Sequence, residues 1–129
     1  MIALLNDYYQ IDSRVADGDS TLFDVTLLSG YCAYAGHFQG NPVSPGVCNI
    51  QMIKECAGLL AGKRLVIACI DKCKFFAVIN PQTSPHLKIR MQLCKEDTMY
   101  KVQAVIFDDQ LIKLILKVNL LLSDDTFFY

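Results

Sequence analysis

The chain has little of several things that would narrow its function at once. Twelve Lys+Arg stand against thirteen Asp+Glu, a formal charge of -1, so no sequence-wide basic excess points to nucleic acid. The longest apolar stretch, Leu111 to Leu122, is broken by Lys113, Lys117 and Asn119 and falls short of the ~20 apolar residues a spanning helix needs. No membrane insertion is expected. The N-terminal "MIALLNDYYQ" has no basic n-region and an apolar run of only five residues, short of the roughly 7 to 15 of a signal-peptide core, so a cytoplasmic setting is expected. There is no CxxC pair, no internal repeat and no low-complexity linker. The six cysteines then read as reduced thiols. Cys69 and Cys73, expected on one face of a strand, read as small buried hydrophobes, and His86 reads as a surface residue in a turn. No metal or cofactor is called for.

What is present is a single packed unit. At 129 residues and 53% hydrophobic the chain reads as one domain over 1–129. Ile2 to Leu5 suggests a short helix, and Asp17 to Ser20 a turn between two strands. Beyond residue 63 the pattern is strand after strand: 64–79, then "LKIRMQL" with Leu, Ile, Met inward and Lys, Arg, Gln outward, then "MYKVQAVIF" after a turn at Glu96 to Thr98, then 110–122. One helix is predicted, Pro45 to Ala61, with Ser44 as N-cap, Pro45 in the first turn and Gly62 at the end. Its stripe Gly46, Ile50, Ile53, Ala57, Leu60, widened by Val47 and Leu59, reads as a buried helix. The class is α+β, a curved antiparallel sheet wrapped around one long central helix. Such a sheet leaves an edge to cover, so a homodimer is expected.

One of only two histidines lies in "GHFQGNPVSPGVCNIQMIKE", residues 36–55. A helix that starts after Pro45 points the free N–H groups of Gly46, Val47 and Cys48, and the positive end of its dipole, at whatever lies before it. Gly46 lets a carbonyl oxygen approach closely. His37, just upstream, has an unperturbed pKa near neutrality and suits a base. Together these parts suit proton abstraction beside a carbonyl.

"GHFQGNPVSPGV" resembles the "GHFPGxPxMPGV" segment of the 3-hydroxyacyl-acyl-carrier-protein dehydratases, lyases of fatty acid synthesis. The spacings from His37 to Gly40, Pro42, Pro45, Gly46 and Val47 all agree. Weaker likeness extends over "LLNDYYQIDSRV" and "IDKCKFFAVINPQT". The resemblance implies a hotdog fold, a dimer with the acyl thioester in a tunnel between subunits, and acyl carrier protein as partner. It makes His37 the base and the Gly46 N–H the thioester oxyanion donor, with Phe38, Gly40, Pro45 and Val47 around the substrate.

The acid's position falls on Gln51, and a carboxamide cannot donate the proton a carboxylic acid does. Glu55, one turn on, stands where the family usually has Gln, so acid and amide look exchanged. Glu55 is either a catalytic carboxylate or an ordinary carboxylate satisfied by hydrogen bonds. Gln39 also replaces the family's proline, Ser44 an apolar residue, and "PQT" the family's "PGD". Three functions follow: a dehydratase of the fatty acid or polyene/polyketide type, a hotdog acyl thioesterase, or a chain that is not an enzyme by itself, either a weakly active subunit of a heterodimer whose partner supplies the carboxylate or an acyl-binding module. Lys63, Arg64, Lys72, Lys74, Lys88 and Arg90 are candidates for docking an acidic carrier protein.

Overall fold

A computed structural model describes residues 4–28, 44–109 and 111–123. Six strands and one helix follow in the order β1 (Tyr9–Asp17), β2 (Ser20–Leu27), α1 (Gly46–Ala61), β3 (Leu65–Phe75), β4 (His86–Glu96), β5 (Met99–Phe107) and β6 (Ile112–Leu122). The strands form one antiparallel sheet in the order β1-β2-β4-β5-β6-β3. The two strands flanking the helix in sequence therefore lie far apart in the sheet, and β3 is an edge.

Strict alternation sets the face that α1 covers. Leu87, Ile89 and Met91 of β4, Tyr100, Val102, Ala104 and Ile106 of β5, and Leu114, Leu116, Val118 and Leu120 of β6 are all buried. They meet Met52, Ile53, Cys56 and Ala57 of the helix in one core. Each such side chain contributes roughly 1.5–3 kcal/mol relative to exposure. The opposite face of the sheet is more polar, although it holds one buried ion pair, Lys113 to Asp108 at 3.4 Å.

Several expectations change. The described part of the N-terminal segment is a tight turn: Asp7 and Tyr8 N–H both donate to the Leu4 carbonyl, at 3.0 and 2.7 Å, and Asn6 takes a positive φ. The helix starts one residue later than predicted. Pro45 is the cap, in extended backbone, while Gly62 ends the helix in the left-handed region with its N–H on the Gly58 carbonyl. The helix is buried along one side only, with Val47 64% and Leu59 44% exposed, because a single sheet covers a single face.

Cys69 and Cys73 do not share a face. Pairing slips between Ile70 and Lys72, so Cys69 lies opposite Asn119 on the outer face while Cys73 lies opposite Leu116 on the core face. The extra residue of a bulge inverts the alternation. Cys69 is exposed and Cys73 half-buried. His86 is a surface residue, as expected, but opens β4 rather than sitting in a turn, and its Nδ1 lies 3.0 Å from Thr26 Oγ1.

Two stability predictions follow. A Cβ on Gly58 would stand 2.9 Å from the Lys63 carbonyl oxygen, a backbone atom that cannot step aside. Gly58→Ala should therefore lower the unfolding free energy by about 1–3 kcal/mol in urea melts, against the gain of up to ~1 kcal/mol that Ala brings to a helix interior. Burial pushes the fully buried Cys56 thiol from 9.0 up to about 12. The unfolded chain gives up that proton first, so stability is complete below pH 9 and falls as pH rises from there toward 12. Denaturation under reducing conditions should show a loss of about 1.4 kcal/mol per pH unit from this group, and Cys56→Ala should make the loss between pH 9 and 12 shallower by that amount.

Candidate active site

The sequence ahead of the helix fixes how α1 begins. Pro45 cannot donate, and its carbonyl instead accepts from Cys48 at 3.0 Å and Asn49 at 3.2 Å. Cys48, expected among the free amides, is thus engaged, and the helix leaves Gly46 and Val47 as the first-turn amides with no intrahelical acceptor. Gly46 packs against the Phe75 ring: a Cβ there would meet Phe75 Cζ at 2.9 Å. Pro45 is half-buried beside it, and Val47 points to solvent. His37, Phe38 and Gly40 lie outside the described residues.

Ser44 does not cap the helix with its side chain. Its N–H donates to the Ile79 carbonyl at 2.7 Å, and its hydroxyl to Asn49 Oδ1 at 2.6 Å. The Tyr8 hydroxyl donates to the same Asn49 oxygen at 3.0 Å, and the Tyr8 carbonyl accepts from Leu28 N–H at 2.9 Å. Tyr8 therefore holds the described residues on both sides of the segment that carries His37, directly at Leu28 and through Asn49 at Ser44. Tyr8 and Asn49 escaped the sequence reading. Their only signal was an Asn inside an otherwise apolar helical stretch, where a buried amide requires partners.

Gln51 and Glu55 are brought together. Gln51 is buried at 6% exposure, and its Nε2 donates to Glu55 Oε2 at 2.8 Å. The same oxygen accepts from Leu4 N–H at 2.8 Å. Glu55 Oε1 accepts from Leu5 N–H at 3.0 Å and from the Tyr9 hydroxyl at 3.0 Å. Two donors on each oxygen fill the roughly four lone-pair sites of a carboxylate. Burial first, then the neighbouring Cys56 and Glu55, push the Tyr9 phenol far above its usual range, so it stays a donor. Tyr8 and Tyr9 meet edge to face, with ring centroids 6.3 Å apart.

The basic residues divide into two groups. Lys63 and Arg64 follow the helix, whereas Lys72, Lys74, Lys88 and Arg90 share the outer face of the sheet, opposite Lys117, Ile115, Phe107 and Val105. Arg90 lies over the Phe107 ring and 3.8 Å from Asp17.

Known proteins match this arrangement. The 3-hydroxyacyl-acyl-carrier-protein dehydratase FabZ of Lactobacillus helveticus (strain DPC 4571) is 35% identical over 77 residues, 54% of this chain and 51% of that protein. The chain thus spans about half the length of that relative. Among solved structures, the dehydratase heterocomplex ApeI:P from Xenorhabdus doucetiae superposes with a TM-score of 0.69 at 19% identity, over 86% of this chain and 96% of that one. A hypothetical thioesterase with coenzyme A from Streptococcus pneumoniae TIGR4 superposes with a TM-score of 0.62 at 11% identity, over 89% and 85%. These two likenesses show the fold, which is the hotdog. The ApeI-like family, described as ApeI dehydratase, matches residues 13–112, and by that match over most of its length this chain belongs to the ApeI-like dehydratase family.

Proposed function

We propose that the chain is a dehydratase-like lyase that removes water from 3-hydroxyacyl thioesters carried on acyl carrier protein, in fatty acid or polyene/polyketide synthesis. The observation that carries this is the start of α1: a helix N-terminus at which the Gly46 and Val47 amides have no intrahelical acceptor, with the buried Gln51 side chain further along the same helix. The Gly46 amide stabilises negative charge on the thioester oxygen. His37 takes the C2 proton, the C2–C3 double bond forms, and the C3–O bond breaks. Gln51 has no proton to lend, so the leaving hydroxide takes one from the imidazolium that His37 has become, and one water leaves with all protons accounted for. Phe38, Gly40, Pro45 and Val47 border the acyl chain in this reading.

The partner is a second copy of the chain. β3 is an edge strand with exposed Ile67, Ile70 and Phe75, next to the exposed Val47 of the helix, and a second chain would cover both. The carrier protein meets the cations of the outer face, where Lys72 stands directly opposite Lys117 and an acidic surface would relieve their repulsion. Among the described residues no helix is long and apolar enough to cross a membrane. A cytoplasmic setting, where thiols such as Cys48 and Cys56 stay reduced, belongs to the same reading.

The test follows alkene formation and hydration with 3-hydroxyacyl and crotonyl carrier-protein thioesters. The wild-type chain should interconvert them, His37→Ala should lose at least ~10²-fold in rate, and Gln51→Glu should gain rate by restoring a positioned acid. An inert wild type beside an active Gln51→Glu would mean that a partner supplies the carboxylate. Thiol release without alkene change would mean a thioesterase.

A further inference from the structure

Gln51 carries an unanswered hydrogen-bonding group. Which end of its amide faces Glu55 is decided by chemistry: the Glu55 oxygens already accept from two backbone N–H groups and a phenol, so they must meet the NH₂ and not the carbonyl. That leaves Gln51 Oε1, on a residue only 6% exposed, with no partner among the described residues. Buried acceptors are rarely left without a donor, so this oxygen is a candidate point of contact for a group that enters the site.

Resting on the acyl-thioester reading above, we propose that Glu55 is a positioning residue: pinned by Leu4, Leu5 and Tyr9, it holds the Gln51 NH₂ and so turns Gln51 Oε1 away from itself as an acceptor, and the group that oxygen then takes is a hydroxyl. That hydroxyl belongs either to a hydroxyacyl chain or to a water. A 3-oxo group would set acceptor against acceptor, and a plain methylene would leave the buried oxygen unsatisfied. The exchange of acid and amide along the helix therefore moves the carboxylate into the framework and turns its former place into a selector for donors. It also makes the turn at Leu4 to Tyr8 part of the site, since two of its amides and the adjacent Tyr9 hold the selector in place.

Inert amide analogues, with nitrogen in place of the thioester sulfur, separate these possibilities: a medium-chain 3-hydroxyacyl-pantetheine, its 3-oxo counterpart and the plain acyl form. The full-length wild type should bind the 3-hydroxy analogue roughly tenfold more tightly than either of the others. Glu55→Gln should shrink that preference to about twofold or less while plain acyl binding stays the same, because a carboxamide at residue 55 lets the Gln51 amide turn over. Tyr9→Phe keeps the carboxylate, removes one donor and should give an intermediate preference, which serves if Glu55→Gln does not fold. The Gln51 side-chain NH₂ signals in nitrogen–proton spectra should exchange slowly with solvent in the wild type and faster in either variant. A preference and an exchange rate that neither variant moves would overturn the positioning role. Equal binding of the hydroxy and plain acyl analogues by the wild type would mean that Gln51 holds a water and would overturn the substrate hydroxyl. Binding of none of the three would overturn the acyl-thioester reading and this inference with it.

Discussion

The Glu55 carboxylate is the constraint on which the rest of this site depends. Taking a carboxylate out of water is costly unless its oxygens are fully used, and here each oxygen accepts two hydrogen bonds. Its partners come from three places: the turn ahead of β1, the first residue of β1, and the helix itself. One side chain therefore fixes the helix against the N-terminal segment. The phenol of Tyr9 is suited to this role because burial keeps its proton in place well above the usual phenol range.

A second network, centred on Tyr8 and Asn49, performs the related task for the start of the helix. It seats Ser44, and so Pro45 and Gly46, through hydrogen bonds of 2.6 and 3.0 Å to one amide oxygen. The two networks stand side by side, since Tyr8 and Tyr9 are neighbours in sequence. In the proposed reaction the helix N-terminus would meet a developing negative charge, and donors placed in advance need not reorganise. Gly46 needs its missing side chain for a packing reason: the Phe75 ring already occupies the space a Cβ would take.

Much of the fold was legible because alternation and helical spacing report burial directly. The bounds of β5 coincide with "MYKVQAVIF", and the helix lies within one residue of its expected start. What escaped the sequence were features set by pairing and by neighbours distant along the chain. The bulge at Asp71 that turns Cys69 outward depends on how β3 meets β6. The exposure of Val47 and Leu59 depends on which side of the helix the sheet covers. The pairing of Gln51 with Glu55 followed from their spacing of four, but the Leu4 and Leu5 amides that complete the carboxylate's shell carry no side-chain signal at all. Of the candidate site, the structure describes the Gly46 end and the Gln51–Glu55 pair, while His37, Phe38 and Gly40 rest on their motif.

Glu55 ties the N-terminal segment to the helix. Backbone hydrogen exchange at Leu4 and Leu5 tests this most directly, in the wild type and in Glu55→Gln. Both amides should be protected in the wild type, and Glu55→Gln should accelerate their exchange by at least roughly tenfold, with the amides of β5 unchanged. Rapid exchange of both amides in the wild type, or protection that survives the substitution intact, would contradict it.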